Sequence, residues 1–138
     1  MGGVGYEGDE KLRVRVEGGV AMVTIDSPPI NLLDRALYFD MQRLAAELSG
    51  DPGVRVVVLR SSTPGFFIAH FDVGLILRIP TDLPEPTELN EFHTMCETFR
   101  TMPKATVAVV EGRAGGGGSE LALSCDMRFA ARETAIFN

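Results

Sequence analysis

Apolar and polar residues alternate along Leu12–Glu17 and again along Val20–Ile25, on either side of Gly18-Gly19. This period-two pattern across a two-residue glycine turn predicts a β-hairpin with a primed turn. Pro28-Pro29 and Asn31 break the alternation, and Leu37, Met41, Leu44 and Leu48 then recur at helical spacing. Asp34 suits the N-cap of that helix. Gly50, followed by Asp51-Pro52-Gly53, suits its end. Residues 54–59 form a nearly continuous β-branched run, which predicts a strand covered on both faces in a parallel or mixed sheet. Phe66-Phe67-Ile68 is a second short apolar run. Pro80, Pro84 and Pro86 with Asp82, Glu85 and Glu88 mark residues 71–90 as loop-like, in part a surface excursion. A helix over 89–102 places Phe92, Met95, Cys96, Phe99 and Met102 on one face, and Pro103 ends it. A strand over 106–110, a glycine run over 112–118, a helix over 119–124 and a strand at Met127–Ala130 complete the pattern. Strand and helix alternate without an internal repeat or linker, so the fold class is α/β. Residues 1–10 read as a flexible tail and 11–138 as one core. No element visibly closes the sheet at Phe137-Asn138, which suits a chain truncated at its carboxy-terminal side.

Composition narrows the function. The 138 residues are 45% hydrophobic and 23% charged, enough for one domain with a real core and unlike a disordered chain. Thirteen basic against 19 acidic residues give a net charge of -6, which argues against nucleic-acid or anionic-membrane partners. Cys96 and Cys125 stand apart with no metal-ligand spacing, so they read as reduced, buried thiols of a cytoplasmic protein, and no metal is expected. Neither a signal peptide nor an apolar run of membrane-spanning length is expected.

The chemistry concentrates in residues 105–126. A buried strand runs into Gly112-Arg113-Ala114-Gly115-Gly116-Gly117-Gly118 and then into a helix through Ser119-Glu120-Leu121-Ala122. Glycines let backbone N–H groups face a ligand, and the helix start adds positive potential, so this turn suits an oxyanion. A P-loop would require Lys-Ser/Thr, and a dinucleotide fingerprint would require a different glycine spacing. Gly117-Gly118-Ser119-Glu120-Leu121 approaches a serine-hydrolase elbow but has Leu121 at the final glycine. His70 and His93 also precede Ser119, an order that elbow does not use.

Residues Gly112 to Asp126 closely resemble the second signature of the crotonase family, the enoyl-CoA hydratase/isomerase superfamily: G-x-A-x-G-G-G-x-E-L-A followed by C-D. Phe67-Ile68-Ala69-His70-Phe71-Asp72 resembles its F-x-A-G-x-D signature, and Pro28-Pro29-Ile30-Asn31-Leu32-Leu33 resembles its P-x-x-N-x-L segment. The likeness covers about residues 12 to 138. It implies a ClpP/crotonase-like spiral of ββα units acting on an acyl-CoA as a hydratase or isomerase, with the coenzyme A thioester as substrate and no separate cofactor. It further implies a homo-oligomer, trimer or hexamer.

Carried over by position, the amides of Phe71 and Gly117 become the oxyanion donors, and Glu120 the catalytic acid/base in an apolar acyl pocket. Ile68, Ala69, Asp72 and Gly116 contribute to substrate binding, with the backbone around Ala69 at the adenine of coenzyme A. Glu120 read by position alone is also an ordinary glutamate in a helix first turn. A second family glutamate belongs to a G-x-P-E segment whose threshold is Phe137-Asn138. His70 replaces the signature glycine, a position where histidine tolerates positive φ better than most side chains. A solvent-facing or structural role suits it. Arg35 and Arg113 are candidates for the coenzyme A phosphates, or solvated surface residues. Two other readings stand beside the enzyme: a non-catalytic or partner-dependent family member, and a serine hydrolase using Ser119.

Overall fold

The computed structural model describes Tyr6 and residues 11–138, so the tail expected over 1–10 lies, Tyr6 apart, outside the described residues. Strands β1 (Leu12–Glu17) and β2 (Val20–Ile25) form the hairpin. Gly18 and Gly19 both take positive φ, as a type I′ turn requires. Helix α1 (Arg35–Gly50) is capped by Asp34, which accepts the Leu37 N–H, and it buries Leu37, Tyr38, Met41, Leu44, Ala45 and Leu48. Strand β3 (Val56–Ser61) and the short β4 (Phe66–Ile68) follow, then a single helical turn α2 (Val73–Ile76) and helix α3 (Glu91–Thr101). The chain continues through β5 (Ala105–Val110), β6 (Arg113–Ala114), α4 (Gly117–Ser124), β7 (Met127–Ala130) and β8 (Ile136–Phe137).

The units β1-β2-α1, β3-β4-α3 and β5-β6-α4, with β7-β8 beginning a fourth, wind the spiral of ββα repeats. Strands β3, β5 and β7 enter a five-stranded sheet of order β1-β2-β3-β5-β7, whereas β4, β6 and β8 form a second sheet of three strands. Apart from the β1–β2 hairpin, all these pairings are parallel. Ala21, Val23 and Ile25 of β2, Val57 and Leu59 of β3, and Ala108 and Val110 of β5 are fully buried in one cluster with α1, α3 and α4.

Three expectations change. The β3 strand is covered on one face; Val56 and Val58 on the other are half-buried. Helix α4 begins two residues early, at Gly117, because Gly116 turns the chain with φ of 48°. The last residues form β8, paired with β6, where no closing strand was expected. Elements α3 and β5 lie within two residues of their predicted limits, and β3 is displaced by two.

Candidate active site

Asn31 organises the entry to the site. It is fully buried with φ of 49°, a left-handed conformation that asparagine adopts more readily than most residues. Its Oδ1 accepts the Ser27 N–H (2.9 Å) and the Thr63 hydroxyl (2.7 Å), and its Nδ2 donates to Ser61 Oγ (2.8 Å) and the Phe67 carbonyl (2.9 Å). These bonds tie the segment before α1 to the ends of β3 and β4. Two residues on, the Leu33 N–H donates to the His70 carbonyl (3.0 Å) and the Leu33 carbonyl accepts the Asp72 N–H (3.0 Å), a parallel bridge between Leu33 and Phe71.

Such a bridge engages the groups on either side of Phe71 and leaves its own N–H facing away. Among the described residues that N–H has no acceptor, and neither does that of Gly117, the first residue of α4. The two positions are adjacent: a Cβ placed on Gly117 would lie 3.5 Å from Phe71 Cβ and 3.2 Å from both Leu33 Cδ2 and Phe92 Cζ. A backbone N–H without a partner seeks an acceptor, so two neighbouring amides without acceptors, one at a helix start, suit a negatively charged oxygen. The glycine run also serves packing. A Cβ on Gly118 would come within 2.6 Å of the Ile68 carbonyl, so only glycine lets α4 approach β4 this closely.

Ile68 is fully buried and its carbonyl accepts the Gly115 N–H at 3.0 Å, while Ala69 is 5% exposed and its N–H donates to the Ile30 carbonyl at 3.2 Å. Both hold the loop from beneath. Asp72 caps α2 by accepting the Gly74 N–H at 2.8 Å. Gly116 is exposed, and its N–H donates to the Asn138 carbonyl at 2.9 Å. His70 does not take positive φ, so the signature glycine is dispensable at this position. Its ring is exposed, with Nδ1 2.8 Å from the Phe71 carbonyl.

Glu120 sits one turn after Gly117 on the same side of α4. Its side chain is 51% exposed, not enclosed in an apolar pocket as expected, and its Oε2 lies 3.3 Å from Nε2 of His93 on α3. Beside Phe71 opens a cleft of about 710 Å³ lined chiefly by Tyr38, Phe39, Phe71, Leu75, Leu83 and Phe92. Its aromatic wall is continuous, with ring centroids 5.8 Å apart for Tyr38–Phe71 and 5.6 Å apart for Phe71–Phe92. The excursion over 71–90 thus forms one wall of the cleft. Burial and the Glu91 carboxylate push the Tyr38 phenol up. Arg35 lines the cleft with its guanidinium over the Phe39 ring, and Arg113 donates to Asn138 Oδ1 at 3.4 Å. The two cysteines are buried and unpaired; burial pushes the Cys96 thiol up to about 11 and the Cys125 thiol to about 12. No cluster of potential metal ligands occurs among the described residues, and no described helix is long and apolar enough to cross a membrane.

The pairing of His93 with Glu120 was not anticipated from the sequence. They stand 27 positions apart, and the intervening sequence carries no local signal that the two side chains meet.

Comparison with known proteins places the fold and the family. The family model described as enoyl-CoA hydratase/isomerase matches residues 15–138. An Arabidopsis thaliana relative, assigned as mitochondrial enoyl-CoA hydratase 2, is 31% identical over 122 residues, 88% of this chain and 40% of its own length. A solved Streptomyces avermitilis structure, assigned as an enoyl-CoA hydratase, superposes with a TM-score of 0.81 at 35% identity, covering 94% of this chain and 48% of that one. An enoyl-CoA hydratase from Geobacillus kaustophilus gives a TM-score of 0.82 at 25% identity, with 96% and 50% covered. The chain therefore spans about half the length of the relatives it matches. On its motifs, its spiral fold and these matches, the chain belongs to the enoyl-CoA hydratase/isomerase family, within the crotonase superfamily.

Proposed function

We propose that this protein binds an acyl-CoA thioester and stabilises its enolate, catalysing enoyl-CoA hydration or double-bond isomerisation. The observation that carries this reading is the adjacent pair of unpartnered amides at Phe71 and Gly117. Ionisation at the carbon beside a thioester, or attack on its conjugated double bond, places charge on the thioester oxygen. Two fixed N–H donors stabilise that charge by several kcal/mol. The apolar cleft at Phe71 receives the acyl group. Ile68, Ala69, Asp72 and Gly116 shape the loop that meets the coenzyme A moiety, and no separate cofactor enters the reaction. Glu120, one turn from the oxyanion donors, moves the proton. The family likeness suits a homo-oligomer, trimer or hexamer, and two buried free thiols suit the cytoplasm.

The serine-hydrolase reading has less support. The two imidazoles it would draw on are engaged elsewhere, His70 with Phe71 and His93 with Glu120. Fluorophosphonate labelling of Ser119 would revive it. The principal test is turnover of crotonyl-CoA and of a 3-enoyl-CoA by the protein and by Glu120→Gln. We expect the variant to lose about 100-fold or more in kcat, the contribution of one positioned acid/base. A Glu120→Gln variant as active as its parent would remove Glu120 from the mechanism. Turnover of neither substrate, despite retained crotonyl-CoA binding, would favour a non-catalytic or partner-dependent family member.

A further inference from the structure

We propose that the cleft beside Phe71 selects an acyl group with an aromatic ring on C3, so that the substrate is an uncharged 3-aryl-2-enoyl-CoA, with Phe92 setting this preference; the inference rests on the acyl-CoA reading above. Four rings from three stretches of chain converge on one wall: Tyr38 and Phe39 from α1, Phe71 from the loop after β4, and Phe92 from α3. Phe71 meets Tyr38 at 63° and Phe92 at 81°, both edge to face. Tyr38 lies 6.3 Å from Phe92, which closes a triad of rings. Rings in this arrangement attract through positive edges and negative faces, and a further ring joins it on the same terms. The facing wall comes from the excursion, where Ile79 and Leu83 expose apolar side chains and Pro80, Pro84 and Pro86 restrict the backbone.

The place of the rings relative to the two amides sets where on the acyl chain the aromatic group falls. A Cβ on Gly117 would lie 3.2 Å from Phe92 Cζ and 3.5 Å from Phe71 Cβ. A thioester oxygen held by the Phe71 and Gly117 amides therefore puts the carbons that follow the carbonyl at the start of the aromatic wall. A group on C3, two bonds from the carbonyl carbon, reaches the triad. A crotonyl chain ends in a single methyl there and leaves most of a cleft of about 710 Å³ empty.

The charges around the cleft favour a neutral group. Glu85 and Glu91 line it, and Arg35, the one cation on its lining, is stacked over Phe39 with the guanidinium 5.4 Å from the ring centroid. An acyl chain ending in a carboxylate would meet two like charges. A straight alkyl chain is also neutral, but it gains only from the area it buries and gives up more rotational freedom than a ring does.

The experiment measures, by calorimetry, the dissociation constants of four saturated, unreactive thioesters: butyryl-CoA, nonanoyl-CoA, 3-phenylpropanoyl-CoA and 3-cyclohexylpropanoyl-CoA. The last three carry equal numbers of acyl carbons, so they separate the ring and its aromaticity from size. We expect 3-phenylpropanoyl-CoA to bind about 10- to 100-fold more tightly than butyryl-CoA, through apolar burial of the ring. It should bind about 3- to 10-fold more tightly than the cyclohexyl and nonanoyl thioesters, through contacts between rings. Phe92→Leu keeps the wall apolar without the ring, and should shrink the preference for phenyl over cyclohexyl to about twofold or less. Any of the other three thioesters bound as tightly as the phenyl one overturns the proposal, as does a phenyl preference undiminished in folded Phe92→Leu. Those outcomes leave the acyl-CoA reading standing. Binding of none of the four overturns both.

Discussion

Replacing Gly117 by alanine and by proline separates the amide from the space around it. Alanine keeps the N–H and adds a Cβ that meets Leu33 Cδ2 and Phe92 Cζ at 3.2 Å and Phe71 Cβ at 3.5 Å. The first two contacts are tight but fall on side-chain ends that yield a few tenths of an ångström, so mild overpacking of about 1 kcal/mol is expected. Proline places a Cβ in the same position, adds two further ring carbons and removes the N–H. Gly117 is the first residue of α4, where proline fits a helix, and its N–H has no acceptor among the described residues, so no internal hydrogen bond is lost. The stability of the two variants should therefore be similar by thermal unfolding. Their activities should not be. Loss of one oxyanion donor removes about 100- to 1,000-fold from kcat, or roughly 3–4 kcal/mol of transition-state stabilisation. Steady-state kinetics on crotonyl-CoA would read this as a large drop from alanine to proline, with a much smaller drop from parent to alanine. Equal turnover by folded Gly117→Ala and Gly117→Pro would refute the assignment of this amide as a donor.

Asn31→Ala strips partners from the buried Thr63 hydroxyl, the Phe67 carbonyl and the Ser27 N–H, and should cost about 3 kcal/mol by denaturant unfolding. For Asp34, burial raises the carboxyl, but the Leu37 N–H, Lys11 and the Ala36 N–H together hold it below the ordinary aspartate range. A depressed folded value stabilises the protein fully above the unfolded aspartate range, and that contribution is lost as pH falls through the folded value. Asp34→Asn should accordingly flatten the acid limb of the stability profile measured by unfolding between neutral and acid pH. Sedimentation should show a homo-oligomer, trimer or hexamer, the assembly that the family likeness implies. A compact monomer at micromolar concentration would contradict it.

The hairpin, α1, α3 and β7 were legible because each is specified by residues close in sequence: alternation across Gly18-Gly19, apolar spacing closed by a cap, and a proline after α3. The two-residue strands β6 and β8 are too short to show a period, and they exist because the parallel pairings of β4, β6 and β8 give their backbones partners. The double covering expected of β3 came from its β-branched run, yet such a run also suits a strand with one buried and one half-buried face. The glycine run was read for its amides alone. Its second role, the close approach of Gly118 to Ile68, depends on where β4 lies and cannot be seen from the run itself.

The proposed oxyanion site was only half readable for a related reason. Gly117 is placed by its own motif, but the outward-facing amide of Phe71 depends on the bridge to Leu33, and Leu33 is positioned by the segment that Asn31 anchors. The partners of that anchor, Ser61, Thr63 and Phe67, lie 30, 32 and 36 residues away, so nothing local to Asn31 distinguishes it from an ordinary turn asparagine. A pattern break between two well-patterned elements is where long-range polar contacts have to gather, because a buried turn leaves backbone groups that the neighbouring strands cannot satisfy. The proposed chemistry follows the same path: if the Phe71 amide is a donor, stability lost at Asn31 is also lost alignment of that amide, although Asn31 touches neither amide of the proposed site.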